Sequence, residues 1–513
     1  MKQSTIDDFR ETVPFLMAVG GAAIILLVTL LLPLGFDNDL YESMGWALYA
    51  YHGLPYLGSW DHNFPGIVYV HWASIALFGA SDFGFRLFDY FVHIAMAGFF
   101  YRALRNWLSQ KESLLAVIIF VLYYASGQWG LAGQRDTYAA FLLLGAVWAF
   151  VQLRSKPTSA GLLAMTIGVL CGAAFLMRPT YVFFALSFLI LIWSLLNRIR
   201  LSGFFLLGCI LPIVAFLFPY LFVRDGLLQV YDTIIRFNLD VYSAVKIPIN
   251  LWSRGRAPIY IFAIVGILFA LRKGPGSNDW RDRIMLLLLA GSALISPIMM
   301  GKYFTYHFEP FLLLVIPFAA VGLSEILQFM PTAWAKGAAV LLLLGLFVYC
   351  YYPRHLIKYY YDAVGTADSP LEVTYEHVLS DSLYGLEAQR EVIQYVDRVA
   401  TPEDIVETVS IFPGLRWRLH RKPPTRFTSV VPLAAYSSKV PSYAAMWRKE
   451  YITSLATPPP RLIIVSRSNQ WWPFVGKRND SAIACIPGFD SLLSANYVPD
   501  TVIRGFALYR SRK

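Results

Sequence analysis

The residues with the clearest chemical potential follow the first apolar segment of the chain. Asp37 and Asp39 are separated by one residue, and Asp61 and His62 stand later in the same polar stretch. A carboxylate at the end of a membrane span can take a proton from a hydroxyl group or bind a divalent cation. A solvated loop on the outer side of a membrane would also carry such acids, so the spacing alone leaves both interpretations open.

Cations and aromatic residues gather at the ends of other apolar segments. They belong to the stretches GQRD, MRP and KYFTYHFEP and to a later basic loop, and the residues concerned are Arg135, Asp136, Arg178, Arg254, Arg256, Lys302, Tyr306 and His307. Arginine and lysine bind phosphate through charge-assisted hydrogen bonds, and aromatic rings can pack on sugar faces. Each group also has a structural explanation, such as a helix start at Asp136 or an Arg178 side chain that reaches the membrane interface. Together they favour an anionic lipid phosphate as substrate.

The composition indicates a membrane protein. Hydrophobic residues make up 57% of the 513 residues and charged residues only 15%, whereas soluble domains are about 45–50% apolar. The formal net charge of +10 fits basic cytoplasmic loops and anionic lipid or phosphate ligands, so nucleic acid is not an expected partner. The four cysteines show no CxxC or Cys/His spacing, so neither a disulfide framework nor a zinc site is predicted.

Apolar segments long enough to cross a membrane recur up to about residue 352. A helix needs about 20 apolar residues to cross the hydrocarbon core. The predicted spans are 13–34, 84–103, 112–126, 137–153, 159–177, 180–196, 201–223, 257–271, 284–300, 308–328 and 336–352. With a cytoplasmic N-terminus, Lys and Arg residues fall in each inner connection, as the positive-inside rule requires. An odd number of spans then places the C-terminal region outside.

We therefore predict a polytopic α-helical membrane protein of about eleven spans with a C-terminal α/β soluble domain. The transmembrane domain covers 1–353, with long outward loops at 35–83 and 224–257, and the soluble domain covers 354–513. The soluble domain is expected on the outer face of the membrane, and the family resemblance described below implies that this membrane is the bacterial inner membrane and that the domain is periplasmic. Segment 66–79 of the first loop is too short to span, and we expect it to lie in the interface or to re-enter. Aromatic and cationic residues of the second loop suit the lipid headgroup layer.

Helix and strand patterns alternate in the C-terminal domain. A helix is predicted at Glu391–Ala400 and strands at Ile405–Ile411 and Arg461–Ser466, with a pair of strands at the end of the chain. The run from His420 to Lys422 is interpreted as a solvated turn.

One polar group inside a predicted span is interpreted as structural. Arg86, Asp89 and His93 are spaced i, i+3 and i+7, which places them on one helical face. We expect them to pair with one another or to face the interior of the helix bundle.

A series of motifs in a fixed order resembles the bacterial superfamily C glycosyltransferases (GT-C) of the protein-mannosyltransferase, lipid A aminoarabinose-transferase and galacturonosyltransferase-like type. The motifs are Asp37 after the first span, GLPYLGSWDHNFPGIVY, FG followed by Arg86–Leu87, GQRD, Met177–Arg178–Pro179 and KYFTYHFEP. They cover roughly residues 10–350, and an outer soluble domain is common in this group. The order of the motifs is more specific than any one of them.

The resemblance implies transfer of a sugar from a polyprenyl-phosphate donor to an acceptor hydroxyl, with inversion at the anomeric carbon. It makes Asp37 the catalytic base and Asp136 the second-loop acid. It places Arg178 near the donor phosphate and His307 in the late aromatic–His motif. Asp39, Asp61, His62, Arg135, Arg254, Arg256, Lys302 and Tyr306 complete the expected substrate-binding set. Neither a metal nor another cofactor is expected to be required, although Asp37 and Asp39 could hold a divalent ion.

The chain departs from its apparent relatives at one position. Relatives often carry Lys-Pro-Pro where this sequence reads Asn63–Phe64–Pro65. If that lysine holds phosphate, Arg135, Arg178, Arg254 or Arg256 takes its place here.

Two alternatives to glycosyl transfer stay open at the sequence level. A transporter or flippase of lipid-linked sugars would move the same donor without forming a glycosidic bond, but it would more typically place charges near the membrane midplane. A membrane-anchored binding module would not need so many spans. The sugar, the polyprenol length and the acceptor, whether envelope glycolipid, other glycan or protein, are not encoded in any motif that we find.

Overall fold

We describe a computed structural model of the chain. It describes residues 2–31, 34, 36–126, 131–155, 159–244, 257–272, 278–335, 337, 386–410, 413–434, 442–466 and 486–512. The helices in chain order are α1 (Lys2–Leu26), α2 (Phe36–Tyr51), α3 (Gly66–Phe78), α4 (Asp82–Leu104), α5 (Gln110–Ser126), α6 (Arg135–Ser155), α7 (Ala160–Met177), α8 (Val182–Trp193), α9 (Arg198–Leu217), α10 (Gly226–Tyr231), α11 (Phe237–Asp240), α12 (Ala257–Arg272), α13 (Asn278–Met300), α14 (Glu309–Gln328), α15 (Leu386–Val399), α16 (Gly414–Arg418), α17 (Val431–Ala434), α18 (Ser442–Ala456) and α19 (Phe489–Asn496).

Helices occupy the segments that hydropathy predicts as membrane spans. Every predicted span except 336–352 coincides with a helix, and 336–352 lies outside the described residues apart from residue 337. Within the described part of the chain, 6 helices are long and apolar enough to cross a membrane, and Gly66–Phe78, Pro179–Trp193 and Ile259–Phe269 are shorter apolar helices.

The chain forms two compact units. The first unit comprises Met1–Leu32, Arg86–Phe216 and Ile247–Ile357, and the second comprises Pro33–Phe85, Leu217–Lys246 and Lys358–Lys513. The second unit therefore contains most of both predicted outward loops together with the C-terminal region.

Glycine pairs allow close helix packing in the first unit. A Cβ atom added to Gly266 of α12 would collide with the Phe318 carbonyl oxygen of α14, and one added to Gly322 of α14 would collide with the Phe262 carbonyl oxygen. Small residues at such crossings let helix backbones approach and gain van der Waals contact, which drives helix association in membranes.

A mixed sheet forms the centre of the C-terminal region. The strands are β1 (Val406–Val409), β2 (Leu462–Ser466), β3 (Tyr497–Ile503) and β4 (Phe506–Ser511), in the order β1-β2-β4-β3. β1 and β2 are parallel, whereas β4 is antiparallel to both β2 and β3. These strands and helix α15 confirm the predicted helix and strands, including the pair at the chain end.

Both faces of this sheet are covered. Residues of α15 pack on one face, and residues of α18 and α19 pack on the other. The second face also receives Trp60 from the predicted first loop and Phe237 from the predicted second loop, with 1% and 0% exposed surface. The two loops therefore complete the core of the C-terminal region.

The predicted loops contain helices of their own. The first loop holds α2 and α3, and the expected short segment 66–79 is the helix Gly66–Phe78. The second loop holds α10, a π-helical turn at Asp232–Arg236 and α11. Val230, Ile234 and Phe237 of this loop are buried and serve protein packing, whereas Tyr231, one of the aromatic residues expected in the headgroup layer, is 49% exposed.

Candidate functional site

The two neighbouring acids of α2 have different environments. Asp37 and Asp39 both lie in the first turn of the helix, where the helix dipole favours negative charge. The Asp37 side chain is half-buried, whereas Asp39 is buried. Asp37 is therefore the more accessible of the two.

Asp39 is fixed by residues from the C-terminal region. Its Oδ1 atom accepts a hydrogen bond from Trp417 Nε1 at 3.1 Å and lies 2.8 Å from Arg418 Nη2. Burial raises the pKa of the Asp39 carboxyl group, while the charge of Arg418 opposes that increase. The geometry gives Asp39 a structural ion pair in addition to its predicted place in the substrate-binding set.

A further buried acid lies one turn along α2. Glu42 is 1% exposed, and its Oε1 atom lies 3.5 Å from His71 Nδ1 of α3. Burial raises the pKa of Glu42 well above its ordinary value, and the charges of Asp82 and Asp39 raise it further. Glu42 is therefore protonated more readily than an exposed glutamate.

Asp61 and His62 contact each other in the segment that follows Trp60. Asp61 is 1% exposed, its Oδ1 atom lies 3.1 Å from His62 Nδ1, and its Oδ2 atom accepts a hydrogen bond of 2.9 Å from Asn63 Nδ2. The His62 ring lies 4.4 Å from the Tyr242 ring. At the position where relatives often carry lysine, Asn63 thus holds the neighbouring carboxylate.

The first unit contains a buried arginine–carboxylate pair. Arg178 Nη2 donates a hydrogen bond of 2.6 Å to Asp136 Oδ2, and the Tyr181 hydroxyl donates to Asp136 Oδ1. Asp136 lies in the first turn of α6, and Arg178 is the residue at which α7 ends. Arg178 and Asp136 are 2% and 0% exposed.

Other predicted site residues surround this pair. Arg135 and Arg178 are close enough to His307 for their charges to act on its ring. His307 Nδ1 donates to the Lys302 carbonyl oxygen at 2.6 Å, which fixes the ring tautomer, and the Tyr306 ring lies edge-on to it at 4.6 Å. We call Arg135, Asp136, Arg178, Lys302 and His307 the cationic cluster. All five are buried, and they bring together the GQRD, MRP and KYFTYHFEP motifs.

Part of the Arg178 guanidinium group is not used by this pair. Its Nε and Nη1 atoms are buried and have no hydrogen-bond partner among the described residues. A buried guanidinium donor without an acceptor is costly. Arg178 therefore has two donor atoms for which the described residues supply no acceptor, a feature that it shares with Arg421 of the C-terminal region.

The polar residues Arg86, Asp89 and His93 of α4 face the interior of the helix bundle, as predicted. Asp89 accepts hydrogen bonds from Tyr124 and Tyr138 at 2.5 and 2.9 Å, and its Oδ1 atom lies 3.4 Å from His93 Nδ1. Arg86 is also buried. Asp89 thus links α4 to α5 and α6.

Two expectations cannot be placed, and one holds for two of its three residues. Arg254 and Arg256 lie outside the described residues. In the predicted solvated turn His420 and Lys422 are exposed, whereas Arg421 is 6% exposed and donates hydrogen bonds to Asp397 and to the Ala400 carbonyl oxygen. Among the described residues, no group of three or more His, Cys, Asp or Glu side chains could hold a metal ion.

The sequence analysis missed several residues of these clusters. Tyr181 follows Arg178 by three residues, a spacing that one turn of helix brings together, so its role could have been inferred. Glu309, by contrast, belongs to the KYFTYHFEP motif that the sequence does single out, and it accepts a hydrogen bond from Thr137. Arg418 had no such signal, because its partner Asp39 lies far away in the sequence.

Comparisons with known proteins find similarity in one sequence segment and in the fold. A family model of dolichyl-phosphate-mannose-protein mannosyltransferases matches residues 61–222. The chain is similar in structure to ArnT from Cupriavidus metallidurans bound to undecaprenyl phosphate, with TM-score 0.57, 12% identity and coverage of 96% of this chain and 97% of that chain. It is also similar to the Archaeoglobus fulgidus oligosaccharyltransferase tethered with an acceptor peptide, with TM-score 0.50, 12% identity and coverage of 97% and 74%. No curated protein sequence matches the chain.

These matches confirm the predicted fold class. The chain is a polytopic α-helical membrane protein with a small C-terminal sheet domain. The matched family segment contains Asp61, His62, the GQRD motif and Arg178.

Proposed function

We propose that this chain, a GT-C superfamily member by its fold and its family match, is an integral membrane glycosyltransferase. It moves a sugar from a polyprenyl-phosphate donor to an acceptor hydroxyl group on the outer face of the inner membrane. The acceptor is an envelope glycolipid, another glycan or a protein.

The observation that carries the proposal is the incompletely used guanidinium group of Arg178. Its Nη2 atom pairs with Asp136, while Nε and Nη1 have no acceptor in the described part of the chain. A phosphate group offers planar guanidinium donors several acceptor oxygens at once. The nearby charge of Arg135 and the lysine at 302 add positive potential that favours an anion over a neutral sugar.

Asp37 is the proposed base because it is the most accessible of the three acids of α2. Asp39 is paired with Arg418 and Trp417, and Glu42 is buried with a raised pKa. A half-buried carboxylate in the first helical turn can approach a hydroxyl group, and the helix dipole favours its charged form.

The proposed reaction is a single displacement. The acceptor oxygen forms a bond to the anomeric carbon while the bond from that carbon to the donor phosphate oxygen breaks. The acceptor proton moves to Asp37, and the electron pair of the broken bond stays on the polyprenyl phosphate. Arg178, Arg135 and Lys302 stabilise the developing phosphate charge, and preorganised charges of this kind often provide the largest part of catalysis. Asp61 and His62 are proposed to contribute to substrate binding from the first loop.

The test is transfer by the purified full chain in lipid nanodiscs. A panel of polyprenyl-phosphate sugars is supplied with envelope lipid and peptide acceptors, and products and released polyprenyl phosphate are followed by mass spectrometry. We expect Asp37→Asn to lower kcat by about 10²–10⁴-fold with little change in donor affinity. Asp225→Asn is the matched control, because Asp225 is an exposed carboxylate of the same unit, and it should leave transfer unchanged.

Two results would contradict the proposal. Full transfer by Asp37→Asn would remove Asp37 as the base. Movement of a labelled lipid-linked sugar across proteoliposomes without any new glycosidic bond would instead identify a flippase.

A further inference from the structure

The guanidinium group of Arg418 connects three separate elements of the second unit. Its Nη2 atom lies 2.8 Å from Asp39 Oδ1 of α2 and donates to Asp82 Oδ1 at 2.8 Å at the start of α4. Its Nη1 atom donates to Gln389 Oε1 of α15 at 3.1 Å. A single side chain from α16 therefore holds two helices of the N-terminal half of the sequence and one helix of the C-terminal region.

Two further contacts join the same surfaces. Trp417 donates its indole proton to Asp39, and the Arg418 guanidinium lies 4.5 Å from the centre of the Trp417 ring. Ser43 Oγ lies 3.2 Å from the Pro413 carbonyl oxygen. Because Asp39 and Ser43 are four residues apart, they share one face of α2, and together they fix the rotation of α2 about its axis.

The approach of α16 to α2 leaves no room for a side chain between them. A Cβ atom added to Gly414 would lie 2.5 Å from Asp39 Oδ2 and close to the Arg418 guanidinium group. Glycine at this position is what permits the ion pair to form at this distance.

The contacts of Arg418 and Trp417 with Asp39 also determine the side of α2 on which Asp37 lies. Residues two apart on a helix are separated by about 200° around its axis. With Asp39 turned toward α16, Asp37 is presented on nearly the opposite side of α2. A change in the rotation of α2 would therefore displace the Asp37 carboxylate.

Resting on the proposed role of Asp37 as base, we propose that Arg418 is a positioning residue for glycosyl transfer. It acts through Asp39 and Asp82, and it sets the orientation of the first turn of α2. The C-terminal region thereby contributes to the reaction through a residue that touches neither donor nor acceptor.

Loss of Arg418 would leave several acids without their counter-charge. Asp39 and Glu42 of α2 and Asp82 of α4 face this position, and His71 of α3 lies beside Glu42. Like charges at such distances repel in a buried environment. We expect the first turns of α2 to loosen or rotate in response.

The first test measures the position of α2 without requiring turnover. In the full chain, Arg418→Met should increase hydrogen exchange of residues 40–44 at least tenfold. It should also change the rate at which Asp37 is labelled by a water-soluble carbodiimide with glycine ethyl ester, read by mass spectrometry. Arg421→Met is the matched control, because Arg421 is a buried arginine of the same region that bonds Asp397 and the Ala400 carbonyl oxygen. It should leave both readouts within about twofold.

The second test measures catalysis. A displacement of the base by about 1 Å can cost up to 10²-fold, so Arg418→Met should lower kcat by about 10- to 100-fold while the donor KM changes little. Arg418→Lys should retain an intermediate kcat, because one ammonium group cannot reproduce the bonds of the planar guanidinium. If Arg418→Met does not fold, the double variant Asp39→Asn/Arg418→Met removes the buried charge of Asp39, the closest of these acids to Arg418 on α2, and should show the same loss of kcat.

Unchanged exchange and labelling in Arg418→Met would overturn the inference, as would altered exchange and labelling with a kcat equal to the parent's. If the parent chain transfers no sugar at all, the proposed function fails instead. The exchange and labelling results then still decide whether Arg418 positions α2.

Discussion

Variants of the Arg178–Asp136 pair can distinguish two roles of Arg178, namely phosphate binding and stabilisation of the fold. Arg178→Met removes the guanidinium group, Asp136→Asn removes its carboxylate partner, and the double variant removes both charges. A structural arginine matters only because its partner is buried. A ligand-binding arginine matters even when that partner has been neutralised.

The structure sets the expected size of each effect. Arg178 and Asp136 are 2% and 0% exposed, so removing one partner leaves a buried charge and should cost about 3–5 kcal/mol of stability. The double variant leaves no uncompensated charge, and the asparagine introduced at position 136 would retain a hydrogen-bond partner in Tyr181. We expect the stability of the double variant to return to within about 1 kcal/mol of the parent.

Ligand affinity should behave differently. Truncating one partner of a desolvated charged contact costs about 2–5 kcal/mol, which is roughly 30- to 4,000-fold in affinity. Both variants that lack the Arg178 guanidinium should therefore bind undecaprenyl phosphate more weakly by this factor. Asp136→Asn keeps the guanidinium and should keep most of the affinity if it folds.

The assay is undecaprenyl phosphate binding by native mass spectrometry of the full chain, with melting temperature followed in parallel. Arg416→Met is the matched control. Arg416 pairs with buried Glu407 at 3.1 Å, so its loss should lower stability without changing lipid affinity. Recovery of both stability and lipid affinity in the double variant Asp136→Asn/Arg178→Met would refute the assignment of Arg178 to the phosphate.

Two further predictions concern the C-terminal region. Burial raises the pKa of Glu407 from 4.5 to about 7, so the folded state holds this proton more tightly than the unfolded state. Stability should therefore fall by about 3 kcal/mol between pH 4.5 and 7; Glu407→Gln should remove that slope, measured by hydrogen exchange of Val406–Val409. Trp60→Ala should destabilise the second unit by about 3–5 kcal/mol, because the ring is 1% exposed. Trp334→Ala, at a ring that is 87% exposed, should change the melting temperature little.

The parts of the fold that the sequence predicts are those encoded by local patterns. Apolar length predicts the spans, alternation predicts the strands, and ordered motifs predict the cationic cluster. Helix α2 was not predicted because its first turn is polar. The acids Asp37 and Asp39 before an apolar and aromatic run were nevertheless a usable helix-start signal.

Contacts between distant segments could not be predicted in this way. Trp60 was interpreted as part of an outward loop, but its ring lies 5.0 Å from Phe237 and 5.3 Å from Trp447 in one core. The backbone N–H of Trp60 donates a hydrogen bond to the Arg426 backbone carbonyl oxygen at 2.6 Å. No periodicity in one segment reveals its partner in another, so the dependence of the C-terminal core on both loops becomes visible only in three dimensions.

The different environments of two buried arginines, Arg178 and Arg418, likewise become visible only in the structure. Both Nη groups of Arg418 donate to protein acceptors, namely Asp39, Asp82 and Gln389. In Arg178 only Nη2 does so among the described residues, while Nε and Nη1 have no acceptor. A guanidinium group whose outer donors are used by the protein can orient what it holds but has little left for a ligand. One whose donors are only partly used gains most from an anion, and for this reason we propose Arg178 as a binding residue and Arg418 as a positioning residue.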